Sequence, residues 1–259
     1  NHSISVLTQP DPRAVIISNS MPYGTPNPAA GSNQYVYNQS VTCSISGSPV
    51  PLGSLTKVVC IGRNGTGSAG NGGEPNFTIA SLTTYSTVTW NWQMQYWLNV
   101  LALGEGGVDT ANGWNNSNAI ITITATNWES ASFDHWSGQT NGCSISATQI
   151  SITGLDQARA IKAVFSGSTA TGTTYTWLDS FNLTNDTIDD DTDEQPTWSE
   201  YISGTDPTNP LSKFQVLASG VSNGGFYVKF YGTSNGAVTP FGMHRSTNLT
   251  LPGGNWIDM

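Results

Sequence analysis

The chain has 259 residues, which is enough for two or three modest domains. Its net charge is -9 and only 10% of its residues are charged, so its eight Lys and Arg residues cannot neutralise a run of phosphates, which argues against nucleic-acid binding. No apolar run approaches the ~20 residues that span a bilayer, which predicts no membrane span. The uncharged polar composition is typical of secreted β-rich proteins, and we expect an extracellular or cell-surface location.

The N-terminal segment, residues 1–13, is predicted to be extended. Its apolar residues Ile4 and Val6 alternate with Ser3 and Ser5, as in a strand with one apolar face. This segment is a candidate donor strand that could complete the sheet of a neighbouring chain.

A first module is predicted over residues 14–94. Two β-like runs in it, residues 41–45 and 58–61, carry Cys43 and Cys60. A disulfide between them would close a loop of roughly 17 residues and add about 3 kcal/mol in an oxidising compartment. Two buried thiols are the alternative. Trp90 and Trp92 share one face of a strand and are either core residues or, together with Trp97, a surface on which carbohydrate stacks.

A second module is predicted over residues 95–166, because elements of the first module recur there in the same order. An alternating strand at residues 120–125 precedes the element Phe133-Asp134-His135-Trp136-Ser137-Gly138, and an apolar strand at residues 161–165 follows. Since a module of about 70 residues has a small core, Trp136 and Phe165 are expected to be buried.

This pattern resembles the divergent internalin-type B-repeat, a small β-grasp-like module of long bacterial surface proteins. Phe133, Trp136, Gly138 and Phe165 stand at the positions of that family's Phe-x-x-Trp-x-Gly element and closing strand. Residues 96–166 match well, whereas the earlier copy is more remote and has Arg63 in place of the tryptophan. The resemblance implies tandem β-grasp-like modules.

A linker is predicted at residues 167–175, where the sequence becomes rich in Ser, Thr and Gly. Residues 176–210 follow as a connector in which two short helices flank an acidic loop. The loop matches the ligand spacing of a twelve-residue calcium loop, in which alternate oxygens converge and a glutamate closes the shell. The predicted ligands at loop positions 1, 3, 5, 7, 9 and 12 are Asp189, Asp191, Asp193, the carbonyl of Gln195, Thr197 and Glu200.

Two residues depart from this calcium pattern. Glu194 stands where the sharp turn favours glycine, and Pro196 stands where a β-branched residue is usual. A solvated acidic linker is the alternative to a Ca²⁺ site. The run Glu200-Tyr201-Ile202-Ser203-Gly204-Thr205-Asp206-Pro207 resembles the calcium-binding connector of secreted bacterial surface proteins, which implies that a β-sandwich follows.

That β-sandwich is predicted over residues 211–259, with strands at residues 214–217, 226–230, 242–249 and 256–258. Because such domains continue for two or three more strands, we expect the domain to be incomplete. Strand donation by a neighbour would complete it and produce a filament; a chain that was cut short explains the ending equally well.

The predicted fold class is therefore all-β: tandem small β-grasp-like modules, a short helical calcium-loop connector and a β-sandwich. The sequence contains no nucleophile elbow, phosphate-binding glycine loop or dinucleotide motif, and we predict that the chain is not an enzyme. We expect an extracellular structural protein that acts as a stalk, adhesin or filament subunit and associates with itself or with neighbouring modules. A carbohydrate- or ligand-binding appendage of a larger secreted protein, with a glycan as partner, is the alternative.

Overall fold

The computed structural model of the protein describes residues 12–128, 131–222, 225–231, 244–245 and 257–258. Strands make up 50% of the structure and helices 6%, so the predicted all-β class is confirmed. The two helices in the described residues have six and seven residues, and neither is long and apolar enough to cross a membrane. The predicted donor residues Ile4 and Val6 lie outside the described residues.

The secondary-structure elements follow one another in chain order. The first eight strands are β1 (Pro12–Asn19), β2 (Thr25–Asn27), β3 (Gly31–Val36), β4 (Val41–Ser46), β5 (Val50–Pro51), β6 (Thr56–Thr66), β7 (Asn76–Ile79) and β8 (Ser86–Leu103). The next seven are β9 (Gly106–Val108), β10 (Gly113–Asn116), β11 (Ile121–Asn127), β12 (Phe133–Gly138), β13 (Cys143–Ser146), β14 (Gln149–Ile152) and β15 (Arg159–Phe165). Helices α1 (Tyr175–Ser180) and α2 (Thr197–Ser203) precede β16 (Gln215–Ser222), β17 (Gly225–Tyr231), β18 (His244–Arg245) and β19 (Ile257–Asp258).

The chain divides into two compact units. Unit 1 comprises the residues up to Val100 together with Thr110–Ile123 and Gln139–Ile161. Unit 2 comprises Leu101–Asp109, Thr124–Gly138 and Lys162–Met259. Strand β8 runs without a break through residues 94 and 95, where the sequence predicts the boundary between its two modules.

Unit 1 is built around β8. This strand pairs in parallel with β1 and antiparallel with β6 and β10, and β1 pairs antiparallel with β3. Strands β2, β4 and β7 form a separate three-stranded antiparallel sheet. Alternation explains the burial: in β4, Val41, Cys43 and Ile45 are buried and the residues between them are not.

The core of unit 1 includes both tryptophans that the sequence places on one strand face. Trp90 and Trp92 are buried together with Val15, Val88 and Leu82. Their predicted core role is therefore confirmed. Trp97, farther along β8, is only half-buried.

The disulfide predicted between Cys43 and Cys60 is absent, since both thiols are free. Cys43 lies in the core on β4, opposite Phe77 of β7. Cys60 lies on β6, opposite Trp92 of β8. The two cysteines are therefore held in the backbone ladders of different sheets. Of the alternative of two buried thiols, only Cys43 is buried, and Cys60 is partly exposed.

Unit 2 has a small aromatic core between its strands. Phe133 of β12 lies 5.3 Å from Trp136 and 5.9 Å from Phe165 of β15, measured between ring centroids. Trp136 and Phe165 are buried, as the sequence predicts. Gly106 of β9 approaches the Phe165 ring so closely that a Cβ at this position would overlap it.

The connector and the strands after it also lie in unit 2. Helices α1 and α2 flank the acidic loop, as predicted. Strands β16 and β17 form an antiparallel hairpin at two of the predicted strand positions, and β18 pairs with β19 at the other two. The sandwich itself and its completeness remain predictions.

Candidate calcium site

The acidic loop is folded around the carboxylate of Asp189. Its Oδ1 accepts hydrogen bonds from the backbone N–H groups of Thr192 and Asp193, at 2.7 and 3.2 Å, and its Oδ2 accepts one from Glu194 at 2.8 Å. Asp193 in turn accepts a bond from the N–H of Gln195 at 2.8 Å. Short acidic side chains stabilise such turns because they can bond the backbone a few residues ahead.

Three of the predicted ligands converge in this turn. Carboxylate oxygens of Asp189, Asp191 and Asp193 all lie within 4.8 Å of one another. Burial and the nearby Asp193 carboxylate raise the pKa of Asp191, as expected for like charges held close together.

Glu200, the predicted closing ligand, lies on α2 with its side chain fully buried. Its Oε1 accepts a hydrogen bond from the Thr205 hydroxyl at 3.3 Å. Burial, followed by the charges of Asp191 and Asp193, raises the pKa of Glu200 to about 8. Helix α2 ends at Gly204, whose left-handed backbone (φ 67°) lets the chain turn back so that Thr205 reaches Glu200.

The loop and the helix that follows it contain three buried carboxylate oxygens without a hydrogen-bond partner in the described structure: Asp191 Oδ2, Asp193 Oδ2 and Glu200 Oε2. Leaving a buried polar oxygen unpaired is costly, and the cost is larger for a charged group. A hard cation bound by the converging carboxylates of Asp189, Asp191 and Asp193 would offset their mutual repulsion. These three donors fit Ca²⁺, whereas Glu200 is not among the carboxylates that converge within 4.8 Å.

The other two predicted ligands are Thr197 and the main-chain carbonyl of Gln195. The Thr197 hydroxyl is buried and donates to the carbonyl of Ile188 at 2.9 Å, with Asp190 Oδ2 at 3.2 Å. The Gln195 side chain faces the following segment, where its Nε2 donates to the carbonyl of Phe214 at 3.1 Å. The prediction concerned only the main-chain carbonyl of Gln195. The side chain has a separate role, because its bonds to Phe214 connect the loop to the segment just before β16.

The two departures from the calcium pattern have different consequences. Glu194, at the glycine position, has a left-handed backbone with φ 78°. The turn that a calcium loop requires is therefore made, at the steric cost that a side chain incurs there. Pro196 immediately precedes α2, where its extended backbone (ψ 149°) is compatible with the start of a helix.

The calcium loop is connected to α1 through aromatic rings. Tyr201, next to Glu200 on α2, contacts Trp177 of α1 edge-on with ring centroids 5.0 Å apart. Trp177 also packs on Phe181, at 4.9 Å. A displacement of Glu200 would therefore move Tyr201 and, through the contact with Trp177, helix α1.

Helix α1 is in turn held by Asp179, a residue that no sequence pattern marks as functional. Asp179 Oδ1 accepts bonds from Lys162 Nζ at 2.6 Å and from Ser137 Oγ at 2.7 Å, and its Oδ2 lies 3.1 Å from His135 Nε2. Burial alone would raise the pKa of Asp179, but the bonds from Lys162 and Ser137 outweigh it and lower the pKa. We call these four residues the Asp179 cluster.

A second buried carboxylate orders the segment predicted to be a linker. Residues 168–174, the threonine turn, close through a bridge between Ser168 and Thr174. Asp186, which is 3% exposed, accepts hydrogen bonds from the hydroxyls of Thr169 and Thr171. This segment is therefore bonded to the connector rather than being a free tether.

Comparison with protein-family models, with curated proteins and with solved structures finds no match to this chain. The resemblances of residues 96–166 to a B-repeat and of the connector to surface-protein calcium connectors stay predictions. Function is accordingly inferred from the geometry of the described residues.

Proposed function

We propose that the chain is an extracellular structural protein of a bacterial surface, a stalk, adhesin or filament subunit whose connector is stiffened by Ca²⁺. The observation that carries this proposal is that three buried carboxylate oxygens, on Asp191, Asp193 and Glu200, have no hydrogen-bond partner among the described residues. The low charge content, the all-β fold and the resemblance to bacterial surface modules support it.

In this proposal Asp189, Asp191, Asp193 and Glu200 hold the cation. Bound Ca²⁺ would supply positive charge that neutralises the crowded carboxylates. The chain's own part is to fold the loop before binding, since the Asp189 oxygens already hold three backbone N–H groups. Glu200 must give up any proton it carries, because a cation binds the carboxylate form.

Stiffening follows from the contacts that continue beyond the loop. Glu200 and Tyr201 are neighbours on α2, Tyr201 contacts Trp177, and Asp179 on the same helix as Trp177 is bound by Lys162 of β15. A cation that fixes Glu200 would thus restrict α1 and its attachment to strands β12 and β15. For a protein that transmits force or spans a distance, such a restricted connector is useful.

Calorimetric titration with CaCl₂ tests the cation site. We expect one Ca²⁺ per chain for the wild type and a large loss of affinity for Asp193→Asn and Glu200→Gln. Glu105→Gln, which changes an exposed acidic residue outside the loop, is the control and should bind as the wild type does. Absence of binding at millimolar Ca²⁺ would overturn the calcium part of the proposal.

Negative-stain microscopy with light scattering, first with Ca²⁺ and then with a chelator, tests the structural role. Ordered polymers that loosen upon chelation would support a calcium-stiffened subunit that associates with itself. A compact monomer under both conditions would rule out the filament form and favour a ligand-binding appendage.

A further inference from the structure

A cleft in unit 1 carries groups that neither the core nor the calcium loop uses. Its volume is about 480 Å³, within the range of roughly 300–1,000 Å³ that is common for small-molecule sites. It lies beside β8, between the residue that precedes β6 and the first residues of β15. Its lining residues include Leu55, Trp97, Asn99, Gln139 and Arg159.

Trp97 gives the cleft an aromatic wall. It is half-buried and shares one face of β8 with Asn99, two residues along the strand. Trp114 of β10 packs edge-on against Trp97 with centroids 5.5 Å apart, and Lys57 Nζ lies 4.2 Å from the Trp114 ring centroid. These contacts hold the indole of Trp97 in one orientation, which lowers the entropy cost of stacking a ligand on it.

Two amides supply hydrogen-bonding groups. Asn99 is exposed, and within the described structure its side chain makes no hydrogen bond. Gln139 is also exposed, and its Oε1 accepts the N–H of Ala160 at 2.7 Å, which orients the amide and leaves Nε2 for a ligand. An amide both donates and accepts, as does the hydroxyl group that it would meet.

Arg159, the positively charged residue of the cleft, already bonds to other groups of the protein. Its Nη1 donates to the carbonyls of Gln139 and Asn141 at 3.1 and 2.7 Å, and its Nη2 pairs with Asp156 at 3.1 Å. Its buried Nε has no partner in the described residues. Because that Nε is buried and the guanidinium is paired with Asp156, the lining offers no uncompensated positive charge, which disfavours phosphate or carboxylate ligands.

We propose that this cleft binds a neutral saccharide, with the apolar C–H face of a sugar ring stacked on Trp97 and its hydroxyls bonded to Asn99 and Gln139. An aromatic face together with uncharged, two-way hydrogen-bonding groups matches the mixed surface of a sugar. The site does not depend on the calcium loop, and either proposal can fail without the other.

Calorimetry of the full chain with neutral hexasaccharides, namely those of glucose, xylose, mannose and N-acetylglucosamine, tests the proposal, with polygalacturonate as the acidic comparison. We expect at least one neutral sugar to bind, and Trp97→Ala to weaken its affinity about tenfold or more. Trp128→Ala, which removes an exposed tryptophan outside the cleft, should leave affinity unchanged.

The double variant Asn99→Ala/Gln139→Ala separates recognition from folding, because both side chains are exposed and the variant removes a single bond to the protein, the one from the Ala160 N–H to Gln139. It should weaken the same sugar while the unfolding transition stays near that of the wild type. Three outcomes would overturn the proposal: no neutral sugar binds at millimolar concentration, only the acidic polymer binds, or the double variant and Trp97→Ala bind as well as the wild type.

Discussion

Lys162 of β15 donates a hydrogen bond to Asp179 of α1 over 2.6 Å, and the two side chains are 11% and 8% exposed. Two opposite charges are thus held together almost without water. Each depends on the other, because a buried charge that loses its partner keeps its desolvation cost.

Replacing Lys162 with methionine should therefore destabilise the protein. Removing one partner of a buried pair costs about 3–5 kcal/mol, and we expect about 2–3 kcal/mol here because Ser137 and His135 still contact Asp179. Urea unfolding measures the loss. Lys229→Met, at an exposed lysine of β17, is the control and should change stability little. Equal effects of the two substitutions would contradict a special role for Lys162.

The Asp179 cluster should also make stability depend on pH through His135. Burial alone would lower the pKa of His135, but its bonds to Asp134 and Asp179 outweigh burial and raise the pKa above 6.5. The protonated form is therefore favoured in the folded state. Its contribution is fully present below pH 6.5 and is lost as the pH rises through the folded pKa.

This pH effect is measured as the difference in unfolding free energy between the wild type and His135→Gln. The advantage of the wild type should be constant below about pH 6.5 and shrink as the pH rises above it. Subtracting the variant removes the contribution of Glu200, which also titrates in this range in the absence of metal. A difference that stays constant, or grows with pH, would show that His135 is not held by the two carboxylates.

Glu194→Gly should improve the calcium loop. Glu194 has a left-handed backbone with φ 78°, which glycine adopts without the Cβ penalty. Relief of this strain is worth about 1 kcal/mol, so Ca²⁺ affinity or stability should rise. The matched control is Glu194→Ala, which removes the charge but keeps the Cβ. If alanine and glycine behave alike, charge rather than backbone conformation determines the effect.

Gly106→Ala should damage the core of unit 2. The added Cβ would overlap the ring of Phe165, which packs against Phe133. Overpacking of this kind costs about 1–3 kcal/mol. Gly113→Ala serves as the control, since a Cβ there has no neighbour within 4 Å and the backbone is not left-handed. Thermal unfolding of the two variants measures the effect, and Gly106→Ala should unfold at the lower temperature. Equal unfolding temperatures would show that the Phe165 ring moves aside to accommodate the Cβ.

Local patterns predicted much of this structure. Alternation of apolar residues indicated β4 and β11, and the spacing of the acidic loop predicted that Asp189, Asp191 and Asp193 converge, although it also predicted Glu200, which lies outside that group. Both signals arise within a few residues, because strand pleating and turn geometry are local.

Features that depend on distant residues could not be predicted in this way. The Asp179 cluster joins β12, β15 and α1, and nothing in the spacing of Ser137, Lys162 and Asp179 indicates that they meet. The choice between a disulfide and free thiols at Cys43 and Cys60 could not be made for the same reason, since their proximity in sequence does not reveal that their strands belong to different sheets. Likewise, the module boundary predicted at residues 94 and 95 falls inside β8, because no turn residue interrupts this strand.

The hydrogen bonds of the threonine turn should protect this segment from proteolytic cleavage. A segment of small, polar residues is ordinarily a preferred cleavage site, because its backbone can extend into a protease active site. Here Asp186 holds Thr169 and Thr171, and the backbone of Thr173 is folded back onto Thr169. Limited digestion should therefore spare this segment, and purified fragments ending within it would indicate that Asp186 had first lost its hydroxyl partners.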